Sequence, residues 1–468
     1  MAERMSALDA SFLVIERRDR PMHVGGLIML RPGPDGFDVQ RMVQVVKERL
    51  HLVPRYRQKV RFVPGFVANP VWVDDPNFDL SYHLQHRSLP RPGREEQLWD
   101  LAGRLFSRSL DRSRPLWEGY LIDGLADGRV ALLLKSHHAM VDGVSAVEIL
   151  TALVDPTPEV RRLDPPPWHP EPEPSDMELL MSGILDRVAA PTQLAVAMKD
   201  WAGNISDTAK QTAATVVGLS STGKHMPVRL AKTPLTTRST EWRRYRGLVH
   251  DLSDYKRVKN VLGGTVNDAV LAVVGGALRM WLLNRGEEVA ADLSIRVMAP
   301  ASMRRPDDMG SGGNMVAAMF VDVPIGEADV LRRYRKIERQ TRRIKRRGEA
   351  VAAGALMPAA EFIAPNLFAI AVRAGIDTAP VHTVVTNVPG PQHPLYVNGA
   401  AIESLLPFLT TFPNRTLTHG VLSYNGSMGW GLVGERDAMY DLAAYADFMD
   451  ASLAELLELA DTEAPQEE

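Results

Sequence analysis

No cysteine occurs among the 468 residues. That absence removes disulfides, thiolate nucleophiles, thiolate-bound zinc and iron–sulfur clusters, and with them any acyl-cysteine intermediate. A positive charge excess is missing too: the formal net charge is −3, so overall electrostatics make no case for a nucleic-acid partner. No apolar run reaches the ~18–20 residues that a bilayer-spanning helix needs. The nearest, Ala269 to Leu283, is short, contains Arg279 and is expected to be a buried helix. Met1 to Phe12 has no basic stretch leading into an apolar core, so no secretory signal is expected. Together these absences predict a cytoplasmic protein whose contact with membranes is at most peripheral.

What remains is the composition of an ordinary globular chain, 45% hydrophobic and 24% charged. It is too long for one core, and two domains of ~200 residues are the natural expectation. Through residue 155 strand and helix patterns alternate. Gly25 to Leu30, Leu116 to Ile122 and Arg129 to Lys135 read as strands, the last two joined by a turn over Gly124 to Gly128. Val39 to Leu50 and Arg94 to Ser109 carry helical spacing. Asp155 to Ser175 is dense in proline and reads as a stiff connector, followed by a helical pattern from Met177 to Val217. The domains are therefore expected at 1–155 and 239–468, with 156–238 as linker. In the second, Tyr245 to Asp251, Leu293 to Ala299, Met315 to Val323, Thr383 to Asn387, Leu417 to Tyr424 and Ser427 to Val433 read as strands. Helices are expected over Leu252 to Val261, Val266 to Leu283, Leu331 to Arg347 and Tyr440 to Leu459. The class is mixed α/β.

The chemistry concentrates in His137-His138-Ala139-Met140-Val141-Asp142-Gly143, between an apolar strand, Val130 to Leu134, and a helical pattern from Ser145 to Val154. A hydroxyl group titrates far above neutrality and needs a positioned base before it can attack a carbonyl. Imidazole is the side chain best matched to that task near pH 7. Asp142 lies where a carboxylate could orient a ring or cap the following helix, and Gly143 permits a sharp turn. The plainer alternative is a buried, hydrogen-bonded histidine beside a capping aspartate. A metal centre is disfavoured, because adjacent residues on a strand point to opposite faces and the pair would rarely reach one ion.

The segment resembles the active-site motif of the bacterial wax ester synthase/diacylglycerol acyltransferase family, within the coenzyme A-dependent acyltransferase superfamily. An ordered set of further segments carries the likeness along nearly the whole chain. These are Met5 to Leu13, Pro21 to Gly26, Pro115-Leu116-Trp117, Thr265-Val266-Asn267-Asp268, Thr386-Asn387-Val388-Pro389-Gly390-Pro391 and Ser423-Tyr424-Asn425-Gly426. The resemblance implies two chloramphenicol-acetyltransferase-like domains, each a mixed sheet flanked by helices, with an active-site tunnel at their interface. It implies His138 as general base, with His137 beside it in the motif. Asp142 would hold the loop through an ion pair, for which Arg296 is a candidate partner, and Gly143 would keep access to His138 open. Asn267 and Asp268 would face the site from the second domain, and Pro115, Leu116, Trp117, Thr386 and Asn387 would border the substrates. The implied partners are acyl-CoA, as co-substrate with no resident cofactor, and diacylglycerol or a long-chain alcohol. Contact would be peripheral, with the inner face of the membrane or a lipid droplet.

Plainer readings stand beside these. Thr265 or Asn267 could cap a helix. Pro115-Leu116-Trp117 could be core, and Asn387 to Pro391 a structural turn. Gly310 to Gly313 reads as a turn. The basic residues Arg332-Arg333, Arg342-Arg343 and Lys345-Arg346-Arg347 read as a solvated helix face, or as contacts for CoA phosphates or anionic headgroups. His419 has no assigned role. Two other functions stay open: acyl transfer to a different hydroxyl or an amine, and a catalytically silent lipid-binding or lipid-droplet protein. The His137–Asp142 spacing also fits the glycerophosphate acyltransferase pattern, without downstream support.

Overall fold

Among the described residues, fifteen strands are distributed over three sheets. The computed structural model describes residues 2–140, 153–186, 230–302, 316–347, 373–374, 377 and 379–463. Asp142, Gly143, most of the helical pattern after them, the Gly310 to Gly313 loop and the segment 187–229 lie outside the described residues.

The first large sheet runs β12–β13–β2–β7–β6–β5. Its strands are β2 (His23–Arg31), β5 (Leu84–Ser88), β6 (Trp117–Asp123), β7 (Val130–His137), β12 (Tyr396–Val397) and β13 (Ala400–Phe408). β6 and β7 form the expected hairpin, with Gly124 and Gly128 at positive φ in its turn. A three-stranded sheet of β1 (Glu3–Arg4), β4 (Val71–Asp74) and β3 (Gln58–Arg61) sits beside it. Helices α1 (Ala7–Ile15), α2 (Val39–Arg49), the short α3 (Leu80–His83) and α4 (Glu95–Ser107) belong to this lobe. α2 turns Met42, Val45 and Val46 inward, as its i, i+3, i+4 spacing requires.

The second large sheet runs β10–β9–β11–β14–β15–β8. It comprises β8 (Arg243–Asp251), β9 (Ile295–Ser302), β10 (Val316–Val323), β11 (Thr383–Pro389), β14 (Leu417–Tyr424) and β15 (Ser427–Glu435). Both large sheets are mixed: β5 pairs parallel with β6, and β11 parallel with β14 and β9. Helices α5 (Leu252–Leu262), α6 (Val266–Asn284), α7 (Val330–Arg347) and α8 (Leu442–Glu463) cover the second sheet. α6 is apolar and long enough to cross a membrane, yet it is the core of this lobe, with Ala269 to Ala277 and Trp281 essentially inaccessible.

The expected strands and helices of both halves recur within a few residues of the boundaries read above. The separation by sequence does not hold throughout. β12 and β13, from the second half, complete the first sheet, and β13 pairs with β2 across a bulge between Ile402 and Ser404. β13 also lies against β15, close enough that a Cβ on Gly431 would come within 1.6 Å of the Pro407 carbonyl oxygen. Only glycine permits that approach, so the lobes meet backbone to backbone. The proline-rich stretch 156–175 has neither helix nor strand and runs along the first lobe. There Glu173 pairs with Lys59 and Arg61, and Arg57 stacks on Trp168.

Candidate active site

Strand alternation sorts β7 into two faces. Leu132, Leu134, Ser136 and, just past the strand, His138 line a cavity of about 420 Å³. Ala131, Leu133, Lys135 and His137 face the other way and are buried. The two histidines therefore do different things, as strand geometry demands.

The cavity lies over the first sheet, beneath α2, and is closed on one side by Leu405 to Phe408 of β13 and by Leu409 just after it. Val388 of β11 and Leu422 of β14 reach it from the second lobe. Its walls are almost wholly hydrocarbon. Among the described residues its polar groups are few: His138, Ser136, Tyr56, Glu118 and Arg49. The Tyr56 and Ser136 hydroxyls lie 3.4 Å apart.

His138 is held from two sides. Its backbone N–H donates to the Met22 carbonyl at 2.7 Å. Its ring stacks on Phe12 of α1, with centroids 4.2 Å apart and planes 24° from parallel. Its Nδ1 is enclosed and has no hydrogen-bond partner in another described residue. Burial lowers its pKa; the residue's own carbonyl works the other way, and the nearby His137 ring adds to the lowering. The ring is thus neutral near pH 7, the form that can accept a proton.

His137 anchors the strand end. Its N–H donates to the Leu116 carbonyl at 2.9 Å, and its Nδ1 accepts the Ala139 N–H at 3.0 Å. A proton on Nε2 then faces Glu16 Oε2 at 3.6 Å, a polar contact just beyond hydrogen-bond length. Glu16 also accepts from Arg112 Nε at 2.8 Å and from the Met22 N–H at 3.1 Å. Burial alone would raise this carboxyl, but His137, Arg112 and the Met22 amide outweigh it and bring its pKa to about 2. Glu16 thereby links the end of α1, which carries Phe12, to His137 at the end of β7 and to Arg112 in the loop before β6.

A stability consequence follows from that depressed pKa. The folded-state value lies below the ordinary 4.5, so the contribution of Glu16 is complete above pH 4.5 and is lost as pH falls toward 2. Glu16→Gln should flatten the acid limb of thermal stability in calorimetric scans between pH 5 and pH 3; an unchanged limb would contradict this network.

The remaining site candidates fall into three groups. Trp117 lines the cavity, donates its Nε1–H to the Tyr56 carbonyl at 2.8 Å and stacks on His83. Leu116 and Pro115 are buried, and Leu116 serves through its carbonyl. Asp268 caps α6: its Oδ2 accepts from the Thr265 N–H and hydroxyl at 2.7 and 2.8 Å, and its Oδ1 from Thr341 at 2.6 Å. Neither Asp268 nor the half-buried Asn267 is among the residues lining the cavity. Thr386 and Asn387 are half-buried on β11 and also stand outside its lining, while the next residue, Val388, is in it. The β11 end is clamped to the β14–β15 hairpin, with the Gly390 N–H donating to Ser423 Oγ and the Asn425 N–H to the Pro391 carbonyl. Asn425 and Gly426 take positive φ in that hairpin, as a tight two-residue turn needs.

Arg296 pairs with Asp322, its register partner on β10, which takes its Nε and one terminal nitrogen, each at 2.7 Å; Asp142, the partner expected for it, lies outside the described residues. His419 is a buried structural residue, bonded to the Tyr445 hydroxyl at 2.8 Å and pushed down to about 4 by burial. Sequence reasoning missed Phe12, Glu16, Arg112, Ser136 and Tyr56. Ser136 could have been found from its i−2 relation to His138. Phe12 lay within the opening motif without a signal of what it touches, and nothing local marked Arg112 or Tyr56.

Two mixed α/β lobes that share a sheet boundary, with a histidine in an apolar cavity between them, define a two-lobed acyltransferase-type architecture. The sequence model of the wax ester synthase/diacylglycerol acyltransferase catalytic domain matches residues 5–270, and that of the family's C-terminal domain matches 312–457. The chain belongs to this family. It is 31% identical to a putative diacylglycerol O-acyltransferase of Mycobacterium tuberculosis, over 98% of this chain and 91% of that one. A probable diacylglycerol O-acyltransferase of the same organism is 29% identical over 97% and 96%. Among solved structures, the wax ester synthase/diacylglycerol acyltransferase of Marinobacter aquaeolei VT8 superposes with a TM-score of 0.70 at 26% identity, covering 98% of this chain and all of that one. The first condensation domain of the calcium-dependent antibiotic synthetase shares the fold, with a TM-score of 0.58 at 13% identity.

Proposed function

We propose that the protein transfers a long-chain acyl group from acyl-CoA to the hydroxyl of a lipid, diacylglycerol or a long-chain alcohol, with His138 as general base. The observation that carries the reading is the His138 imidazole on the wall of a hydrocarbon-lined cavity. With Nδ1 enclosed, Nε2 takes the acceptor proton as the hydroxyl oxygen attacks the thioester carbonyl. The tetrahedral intermediate collapses, the carbon–sulfur bond breaks, and the imidazolium returns its proton to the departing CoA thiolate. The products are an ester and free CoA. Atoms and charge balance without redox chemistry, so no resident cofactor is required. Stacking on Phe12 and the amide of His138 fix the ring, which matters because a base is effective only within hydrogen-bond reach of its proton.

Diacylglycerol is the favoured acceptor, on the likeness to relatives carrying that name. A competition with labelled palmitoyl-CoA, dioleoylglycerol and hexadecanol tests it: labelled triacylglycerol should predominate, and a label found mainly in wax ester would reverse the preference. Contact with a membrane or lipid droplet, from the cytoplasmic side, is part of the same proposal, since such acceptors reside at an interface.

The lowered His138 pKa fixes a pH dependence. Because the base acts deprotonated, kcat/KM should rise with pH through a value below the ordinary histidine 6.5 and stay level through neutrality. A rising limb centred above pH 7 would point to another group.

A further inference from the structure

α7 presents a surface that the acyl-transfer chemistry does not use. Its inner face packs on the second lobe. Tyr334 and Ile337 are fully buried there, the Tyr334 hydroxyl donates to the Gly263 carbonyl, and Thr341 donates to Asp268. Between Arg332 and Arg346 every exposed position carries arginine or lysine. Among the described residues, ion pairs engage Arg332, Lys336 and Arg342, with Glu327, Asp329 and Glu338. Arg335, Arg339, Arg343, Lys345 and Arg346 have no carboxylate within ion-pair distance among the described residues. An ordinary surface helix alternates sign to gain i, i+4 pairs. Here Arg335–Arg339, Arg339–Arg343 and Arg342–Arg346 set like charges one turn apart, which weakens the helix unless an anionic partner relieves the repulsion. The stripe extends over about 20 Å at 1.5 Å rise per residue, in a chain whose net charge is −3.

We propose that this face of α7 docks the protein on an anionic lipid surface. A flat array of headgroup phosphates matches a long, straight row of cations, whereas one CoA molecule offers phosphates enough for a fraction of it. No apolar residue is exposed along the row, so contact is electrostatic adsorption without insertion. The inference deepens the acyl-transfer reading, in which an acceptor must be met at an interface, and names the surface that meets it.

The test uses the full-length protein and sedimentation with vesicles of phosphatidylcholine, with or without phosphatidylglycerol. Binding should require phosphatidylglycerol and weaken as salt rises. The combined variant Arg335→Gln, Arg339→Gln, Arg343→Gln, Arg346→Gln should lower partitioning by roughly 600-fold, each basic residue near the surface being worth about fivefold. The same four positions changed to lysine should keep binding within about fivefold of wild type, since charge and not fork geometry is used. Turnover with a short, water-soluble alcohol acceptor should be unchanged in both variants, which separates docking from chemistry. Unchanged partitioning of the glutamine variant, in protein whose melting temperature is retained, overturns the proposal. So does a raised KM for acyl-CoA with the soluble acceptor while vesicle binding persists, which would assign the row to CoA phosphates. Loss of turnover in the wild type with every acceptor would sink the acyl-transfer reading and leave the vesicle result standing.

Discussion

His138→Ala should lose about 10²–10⁴-fold in kcat, the usual contribution of a positioned general base, while the protein folds normally. Folding should survive because the ring lies against a cavity, with one stacking partner in Phe12 and an Nδ1 that bonds no other described residue. The loss should fall on kcat and kcat/KM alike, since the imidazole acts on a proton that moves only in the transition state. Phe12→Ala should show a milder version, with an intact but less fixed base. His137→Ala should instead lower thermal stability, because that ring faces the buried Glu16 and not the cavity. Steady-state assays with unfolding curves on the three variants separate these outcomes. A His137 variant that loses turnover at full stability would exchange the two roles.

Arg49→Leu should destabilise the fold by about 3–5 kcal/mol, the cost of leaving a buried charge without its partner. Arg49 at the end of α2 and Asp155 at the head of the connector are each 1% exposed, and one guanidinium nitrogen reaches both carboxylate oxygens at 2.9 and 2.8 Å. The same nitrogen donates to the Arg161 carbonyl at 2.8 Å. The pair therefore pins the start of the connector to a helix that roofs the cavity. Replacing both members, Arg49→Leu with Asp155→Leu, should recover most of the loss, because an apolar pair of similar volume avoids the desolvation of two charges. Calorimetry on the single and double variants reads this directly; equal melting temperatures for wild type and single variant would show the pair to be idle.

Much of this was legible in order along the chain. β7 announced itself by an apolar run, and its period of two already assigned His137 and His138 to opposite faces. α6 was readable as buried from its length and its interrupting Arg279. β13 was not readable. Its sequence, Ala400 to Phe408, holds Pro407, which argues against an interior strand. It is accommodated near the strand end opposite Gly26, after a bulge. That one strand moves a piece of the second half into the first sheet and walls the cavity with Leu405 and Leu406, a long-range pairing that no local pattern encodes. The Glu16–Arg112–His137 contacts escaped for the same reason: they join residues far apart in sequence whose individual types are unremarkable. Asp268 shows the converse, a motif residue whose observed work is to cap a helix.

The most direct measurement follows labelled palmitoyl-CoA and dioleoylglycerol with the purified full-length protein in a single turnover, counting free CoA and labelled ester at each time point. Direct attack assisted by His138 predicts that the two appear together and in equal amounts, with no label on the protein and none released when the acceptor is omitted. CoA released ahead of ester, acylated protein, or a thioester left intact would contradict it.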